Sequence, residues 1–350
     1  RRSSDLAQMP KLSTAQLQAL GNDVTGLTTA AVAAIGTALA PSLTTAQVSR
    51  LSSDQIRAIT TSSFETLTSD QLVKITTDQI SQLTTDQIVA LTTAQVGALD
   101  TSQIQALTSA QLPALETADL VKLTSAQFNA LTSGQIQALS TLQLANLSTD
   151  QLANMTTEDV QALTTAQISG LAAANINKLS TATLAAIETA DIAALTTAQI
   201  SKLTMDQMPA LTTAQVVALT SGQVQALSAD QIVGLTTAQA SSLTEEQIKA
   251  LTTAQIKVIA TDDFQKLTTT QLQAITTDGI KALSVDQMAA FTTAQISALS
   301  TAQVDKLSAT QLQSITSDTL KKLTDTQIQA ITTTAAKSLT VDQMAAFTTA

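Results

Sequence analysis

Leu83-Thr84-Thr85-Asp86-Gln87-Ile88-Val89-Ala90 is followed at once by Leu91-Thr92-Thr93-Ala94-Gln95-Val96-Gly97-Ala98. The two octads align without a gap, and the alignment continues outward in both directions. With Leu43 as position one, 38 consecutive octads run to Ala346 with no insertion or deletion. Position one is always Leu, Ile, Met or Phe, and position six is Ile, Val, Leu, Phe or Met except for Ala240 and Ala336. Position two is Ser or Thr in 33 octads and position five is Gln in 28. The register divides the chain into 1–42, the start of the array with one slip near 20–27 at Gly21, Asn22, Asp23 and Gly26, and 43–350, an uninterrupted octapeptide tract.

The spacing decides what an octad can be. Positions one and six lie five and then three residues apart, both odd, so they cannot share one face of a strand. In one continuous helix, eight residues make about 2.2 turns and the apolar stripe drifts by about 80° per repeat. A new short helix in every octad removes both conflicts. Ser or Thr at position two with Gln at position five has capping-box spacing, and positions one and six then form the hydrophobic staple around it. Charge is sorted in the same sense. Acids gather at positions two to five, Glu65 and Asp305 excepted, and all Lys and Arg of the tract fall at seven or eight, as a helix dipole favours. All four prolines, Pro10, Pro41, Pro113 and Pro209, stand at position seven, so the amide there is expected to be dispensable.

The expected fold is therefore an all-α solenoid, a superhelix of very short helices, one per eight-residue repeat. Positions one and six face inward, the frequent Ala at position eight lets neighbouring coils approach, and the variable position seven faces outward. One octad cannot bury enough to order itself, so neighbouring coils must supply the remainder. A longer period overlies the octads: residues 315–350 match 259–294 at 24 of 36 positions, seven octads away. Duplication is the favoured explanation; the other is that seven octads return the superhelix to an equivalent position.

Composition removes much chemistry. The 350 residues hold no Cys, His, Trp or Tyr and carry a formal net charge of -10. Disulfides, Cys/His zinc sites, His-based nucleophile pairs and aromatic platforms for single strands lack their residues, and an acidic chain does not suit nucleic acid as a partner. No cofactor and no catalytic residue is expected. The carboxylate pairs Glu158-Asp159, Glu245-Glu246 and Asp262-Asp263 sit where a helix begins, so they read as helix-start residues rather than metal or acid-base groups. Asn146-Leu147-Ser148 and Asn154-Met155-Thr156 match the glycosylation sequon, but both hydroxyls occupy the capping position. No apolar run approaches the ~20 residues of a membrane helix, so no membrane insertion is expected, and Arg1-Arg2-Ser3-Ser4-Asp5 is not a signal-peptide start.

Arrays of Leu-Thr-Thr-Ala-Gln-Ile-x-Ala type resemble the Thr/Gln/Leu-rich repetitive tracts of very large secreted bacterial surface proteins, adhesin-like ones included. The resemblance runs from Ser4 onward. It implies a bacterial extracellular or cell-surface location and a role as stalk, spacer or self-assembling fibre. The alternative is a binding module on the repeat surface, taking a peptide, glycan or partner fibre, with Lys249, Lys257, Lys266 and Lys281 as the candidate patch. Ice binding by free position-three Thr rows is a weaker alternative. The expected partners are copies of the chain itself or flanking parts of a longer chain. The array stops inside an octad, leaving an apolar face around Met344 and Phe347 as the expected assembly end.

Overall fold

The computed structural model describes residues 8–348, with the side chain of Thr348 excepted. Every regular element among them is helical, and the array is an all-α solenoid of short helices within each of two compact units, Arg1–Ser180 and Thr181–Ala350. The register boundary at 42/43 is a sequence feature inside the first unit.

Helices begin at the third position of the octad, as in Thr77–Ser81, Thr85–Val89 and Thr93–Ala98 of the first unit and Thr213–Ala218, Ser221–Ala226 and Ala229–Val233 of the second. Most are four to six residues long, far below the length at which a helix persists alone in water. Most are started by a capping box. Thr84 Oγ1 accepts from the Gln87 amide at 3.1 Å, and Gln87 Oε1 accepts from the Thr84 amide at 3.0 Å. The kink lies in two extended residues: Leu51 (φ -56°, ψ 139°) ends one helix and Ser52 (φ -67°, ψ 162°) caps the next. No left-handed reversal is needed. The single positive φ among the described residues is Gly21 at 49°. It opens the 3-10 helix Gly21–Gly26, where the sequence register slips, and a residue without a Cβ takes that conformation at little cost.

Proline at position seven corrects one expectation. The amide there is not idle in every octad, since Val73 N donates to Ser69 O at 3.0 Å and Lys321 N to Ser317 O at 3.1 Å. Where proline removes that donor the α-helix gives way to three-residue 3-10 helices, Met9–Lys11, Ala40–Ser42, Leu112–Ala114 and Met208–Ala210. The octad survives because its apolar positions stay in place.

Positions one and six form the core, as expected. In octad 83–90, Leu83 is 5 % and Ile88 0 % exposed. Within each unit helices pack on the helix three octads further on, as Thr77–Ser81 does on Thr101–Ala106 and Glu245–Ala250 on Thr269–Ala274. Position six of one coil meets position one of a later one: the Phe264 and Phe291 rings sit edge to face, 5.3 Å apart, a favourable aromatic geometry. Where position eight is glycine, the preceding coil approaches closely. A Cβ on Gly170 would lie 3.0 Å from Thr141 Cγ2, and one on Gly234 would lie 3.1 Å from the Met205 carbonyl oxygen.

Candidate functional site: the glutamine seam between coils

The sequence explains the position-five glutamine as half of a cap. The structure gives it a second half. Gln87 Nε2 donates to the carbonyl oxygens of Ile56, at 3.0 Å, and Ile59, at 2.8 Å, which lie 31 and 28 residues earlier. Gln247 repeats the arrangement in the second unit, with Val216 O at 2.8 Å and Leu219 O at 2.7 Å. These carbonyls belong to position six of one octad, which also accepts a backbone amide (Ile59 N on Ile56 O at 3.2 Å), and to position one of the next, past the last turn of the helix. One side chain thus caps the N-terminus of its own helix through Oε1 and the C-terminal end of a helix in the preceding coil through Nε2.

The offset fixes the geometry of each unit. A coil holds about 28 residues, 3.5 octads, so every glutamine seats over a junction between octads. Seven octads make two coils, so the 56-residue internal match has the spacing at which octads and coils come back into step, which duplication of two whole coils gives equally. All 28 tract glutamines at position five are buried, none more than 6 % exposed. Leaving an amide of this kind unpaired in a dry interior costs about 1–3 kcal/mol.

Sequence reasoning missed this role, although a signal for it was present. A capping box accepts Glu as readily as Gln, yet none of the ten replacements at position five is Glu: Ser63, Asp119, Asp159, Asn175, Thr183, Asp191, Asp263, Gly279, Thr319 and Ala335. A carboxylate offers no donor to the carbonyls behind it. Two shorter residues keep the coil-to-coil bond, Ser63 Oγ to Ile35 O at 2.9 Å and Asn175 Nδ2 to Ala145 O at 3.1 Å. Asp119 reverses the polarity and accepts from Thr93 Oγ1 at 2.6 Å. Asp159 turns inward on its own cap, accepting from the Thr156 amide at 2.9 Å. Burial pushes its pKa up, the Thr156 amide and hydroxyl pull it down, and the neighbouring Glu158 charge adds to the rise. Exposed Glu158 is held low by its own backbone amide and the Thr157 hydroxyl.

The lysines are only partly gathered. Lys257 and Lys281 line one open surface groove of about 580 Å³ with Thr253, Ser284 and Ser308, whereas Lys249 lines a separate one of about 490 Å³ beside Glu245 and Glu246. Lys266 lines neither. Glu245 and Glu246 stand in the first turn of their helix, as do Glu158 with Asp159 and Asp262 with Asp263. Among the described residues no cluster of three or more carboxylates could hold a metal ion, and no helix is long and apolar enough to cross a membrane. Ser148 and Thr156 serve as N-caps, as their positions in the two sequons imply. At the expected assembly end, Met344 is 51 % exposed and Phe347 half-buried.

With this geometry in place, the comparison with known families is informative. Five stretches match the model of the ALTTAQ repeat: 85–117, 112–149, 184–221, 217–253 and 256–293. The chain is a tandem repeat tract. The five matches span 33 to 38 residues each, more than four octads, and in four of them a glutamine lies together with the carbonyl 28 residues earlier that it reaches, as Gln143 does with Leu115 in 112–149. No curated protein matches the chain.

Proposed function

We propose that this ALTTAQ repeat tract is a structural, non-catalytic element of an extracellular or cell-surface bacterial protein, serving as stalk, spacer or self-assembling fibre. The observation that carries this reading is the constancy of the seam. The same 28-residue glutamine bond recurs from Gln55 on Leu27 to Gln167 on Leu139 in the first unit, and from Gln215 on Ile187 to Gln343 on Ile315 in the second. Position seven meanwhile ranges freely over charged, polar, apolar and proline side chains. A spacer needs a reproducible rise per coil and asks nothing of its outer stripe. The surface location follows from the resemblance to secreted surface tracts.

Deleting residues 259–314, seven octads and two coils, gives the direct test. For a spacer, small-angle scattering should show a folded chain whose longest dimension falls in proportion to the coils removed. A dimension that does not change would overturn the reading. Saturable binding of a peptide or glycan that is lost on replacing Lys257 and Lys281 would favour the alternative of a binding module, which the groove shared by those two lysines supports.

A further inference from the structure

We propose that the second unit carries a yielding point: the seam between residues 232–251 and residues 260–279 opens as a local unit before the intact seams on either side of it, so that a tract under load lengthens there first. The use under load rests on the structural reading above. The opening itself is a property of the chain alone.

Three breaks in the octad pattern meet at this seam. The first is in the core. Ala240 and Ala336 are the only position-six residues of the tract smaller than valine, and Ala240 lines a largely enclosed apolar cavity of about 10 Å³. Side chains around a void lose contacts that a close-packed interior supplies. Ile232, which lines the same cavity, is 6 % exposed, against 0 % for Val224 and 1 % for Ile248 at the same octad position.

The second break is in the hydrogen bonds. Every position-five glutamine from Gln215 to Gln255 and from Gln287 to Gln311 bonds the preceding coil. Between these runs stand Asp263, Gln271 and Gly279. Gln271 alone crosses, to Ser241 O at 2.8 Å and Leu243 O at 2.6 Å. By the spacing of the seam, a glutamine in place of Asp263 would serve the Ile232 and Leu235 carbonyls, and one in place of Gly279 those of Ile248 and Leu251. An aspartate has no donor to offer a carbonyl and a glycine has no side chain. All four of those residues line the cavity behind Ala240, and so does Asp263. The third break is in the cap. Thr261–Lys266, which packs on Thr237–Ser242 across this seam, follows Ala260 and starts without a side-chain cap.

Missing core volume, missing seam bonds and a missing cap therefore weaken one coil-to-coil contact together. Local opening takes place where buried contacts and hydrogen bonds are fewest, and helices this short do not persist once the coil behind them lets go. Thr319 and Ala335 interrupt the glutamines at the same spacing further along, but Met288 and Val304, 31 residues before them, keep the core there filled and buried. The complete seams on both sides confine the opening and give the chain a place to close back onto.

Hydrogen exchange of backbone amides in the 350-residue chain, read by mass spectrometry of its peptides, tests this. Amides of Thr237–Ser242 and Thr261–Lys266 are expected to be less protected, by about tenfold or more, than those of Thr213–Ala218 and Thr293–Ala298 in the same unit. Asp263→Gln returns a donor to the seam and should raise protection of Thr261–Lys266 about fivefold, the effect of one hydrogen bond, with Thr213–Ala218 unchanged. Stretched from its two ends in a single-molecule force instrument, the Asp263→Gln chain should also need a higher force for the first extension step inside the second unit. Equal protection across the four helices overturns the proposal, and so does an Asp263→Gln chain whose exchange and first step match those of the unmodified protein. The length measurement on the chain lacking 259–314 does not contain this seam, so failure of the yielding point and failure of the spacer reading are separate results.

Discussion

Gln87 donates its side-chain amide to the carbonyl oxygen of Ile59 at 2.8 Å across 28 residues of chain. That bond, repeated along each unit, converts a string of helices too short to exist alone into coils held in register. The substitution that isolates it is Gln87→Glu. Oε1 can still cap Thr84, but the donor is lost and a carboxylate is buried against two carbonyl oxygens. An uncompensated buried charge costs about 3–5 kcal/mol, so the coil should open locally near neutral pH. Burial raises the pKa of such a group, and the protonated acid regains a donor. Stability should therefore return as pH falls toward about 4; urea melts at pH 7 and pH 4 check the sign.

Asp159 is a natural version of the same conflict, in milder form. Its pKa is raised by burial, so its contribution is most favourable when protonated and declines as pH rises through the raised value. Asp159→Asn should stabilise the chain by about 1 kcal/mol at pH 7, with the gain shrinking as pH falls toward the ordinary carboxylate range. Asn keeps the oxygen that accepts from Thr156, and Asn175 shows that a side chain of this length reaches the preceding coil. A gain that does not depend on pH would contradict the assignment.

Caps can be restored where the array lacks them. Ala260 precedes Thr261–Lys266 with no side-chain cap, whereas Thr252 and Thr268 on either side accept from the third amide of their helices. Ala260→Thr should stabilise by about 1 kcal/mol, read from the urea midpoint.

Two glycines at different octad positions should respond with opposite signs. Gly222 lies in Ser221–Ala226 with nothing within 4 Å of an added Cβ, so Gly222→Ala should stabilise by about 0.5–1 kcal/mol through helix propensity. Gly279 stands at the glutamine position, where a Cβ would come within 2.8 Å of Ile275 Cγ2 and 2.9 Å of Ile256 Cδ1. Gly279→Ala should lose stability, because overpacking costs about 1–3 kcal/mol and exceeds the propensity gain. Thermal melts of the two variants give the comparison.

What the sequence makes legible is the local part of the fold. Thr84 and Gln87 stand at capping-box spacing, Leu83 and Ile88 bracket them as a staple, and the acids and bases sort along the dipole, so helix starts and the buried face follow from one octad. The partner of Gln87 lies 28 residues away, and local spacing cannot point there, because the coil length depends on how two extended residues bend between helices. The absence of Glu among the replacements at position five is the one sequence trace of that distant partner. The lysines fail for a similar reason. Lys249, Lys257, Lys266 and Lys281 look like a cluster along the chain, but winding separates them, and only Lys257 and Lys281, three octads apart, share a groove.

The central claim is that position-five glutamines are hydrogen-bonded across coils and not only within their own caps. Hydrogen exchange of glutamine side-chain amides, followed by nitrogen-15 NMR, reads this bond by bond. Buried Gln87, Gln135 and Gln247 are predicted to exchange their Nε2 protons far more slowly than the exposed position-seven residues Gln105 and Gln225. Equal, rapid exchange in both sets would show that no seam holds the coils together.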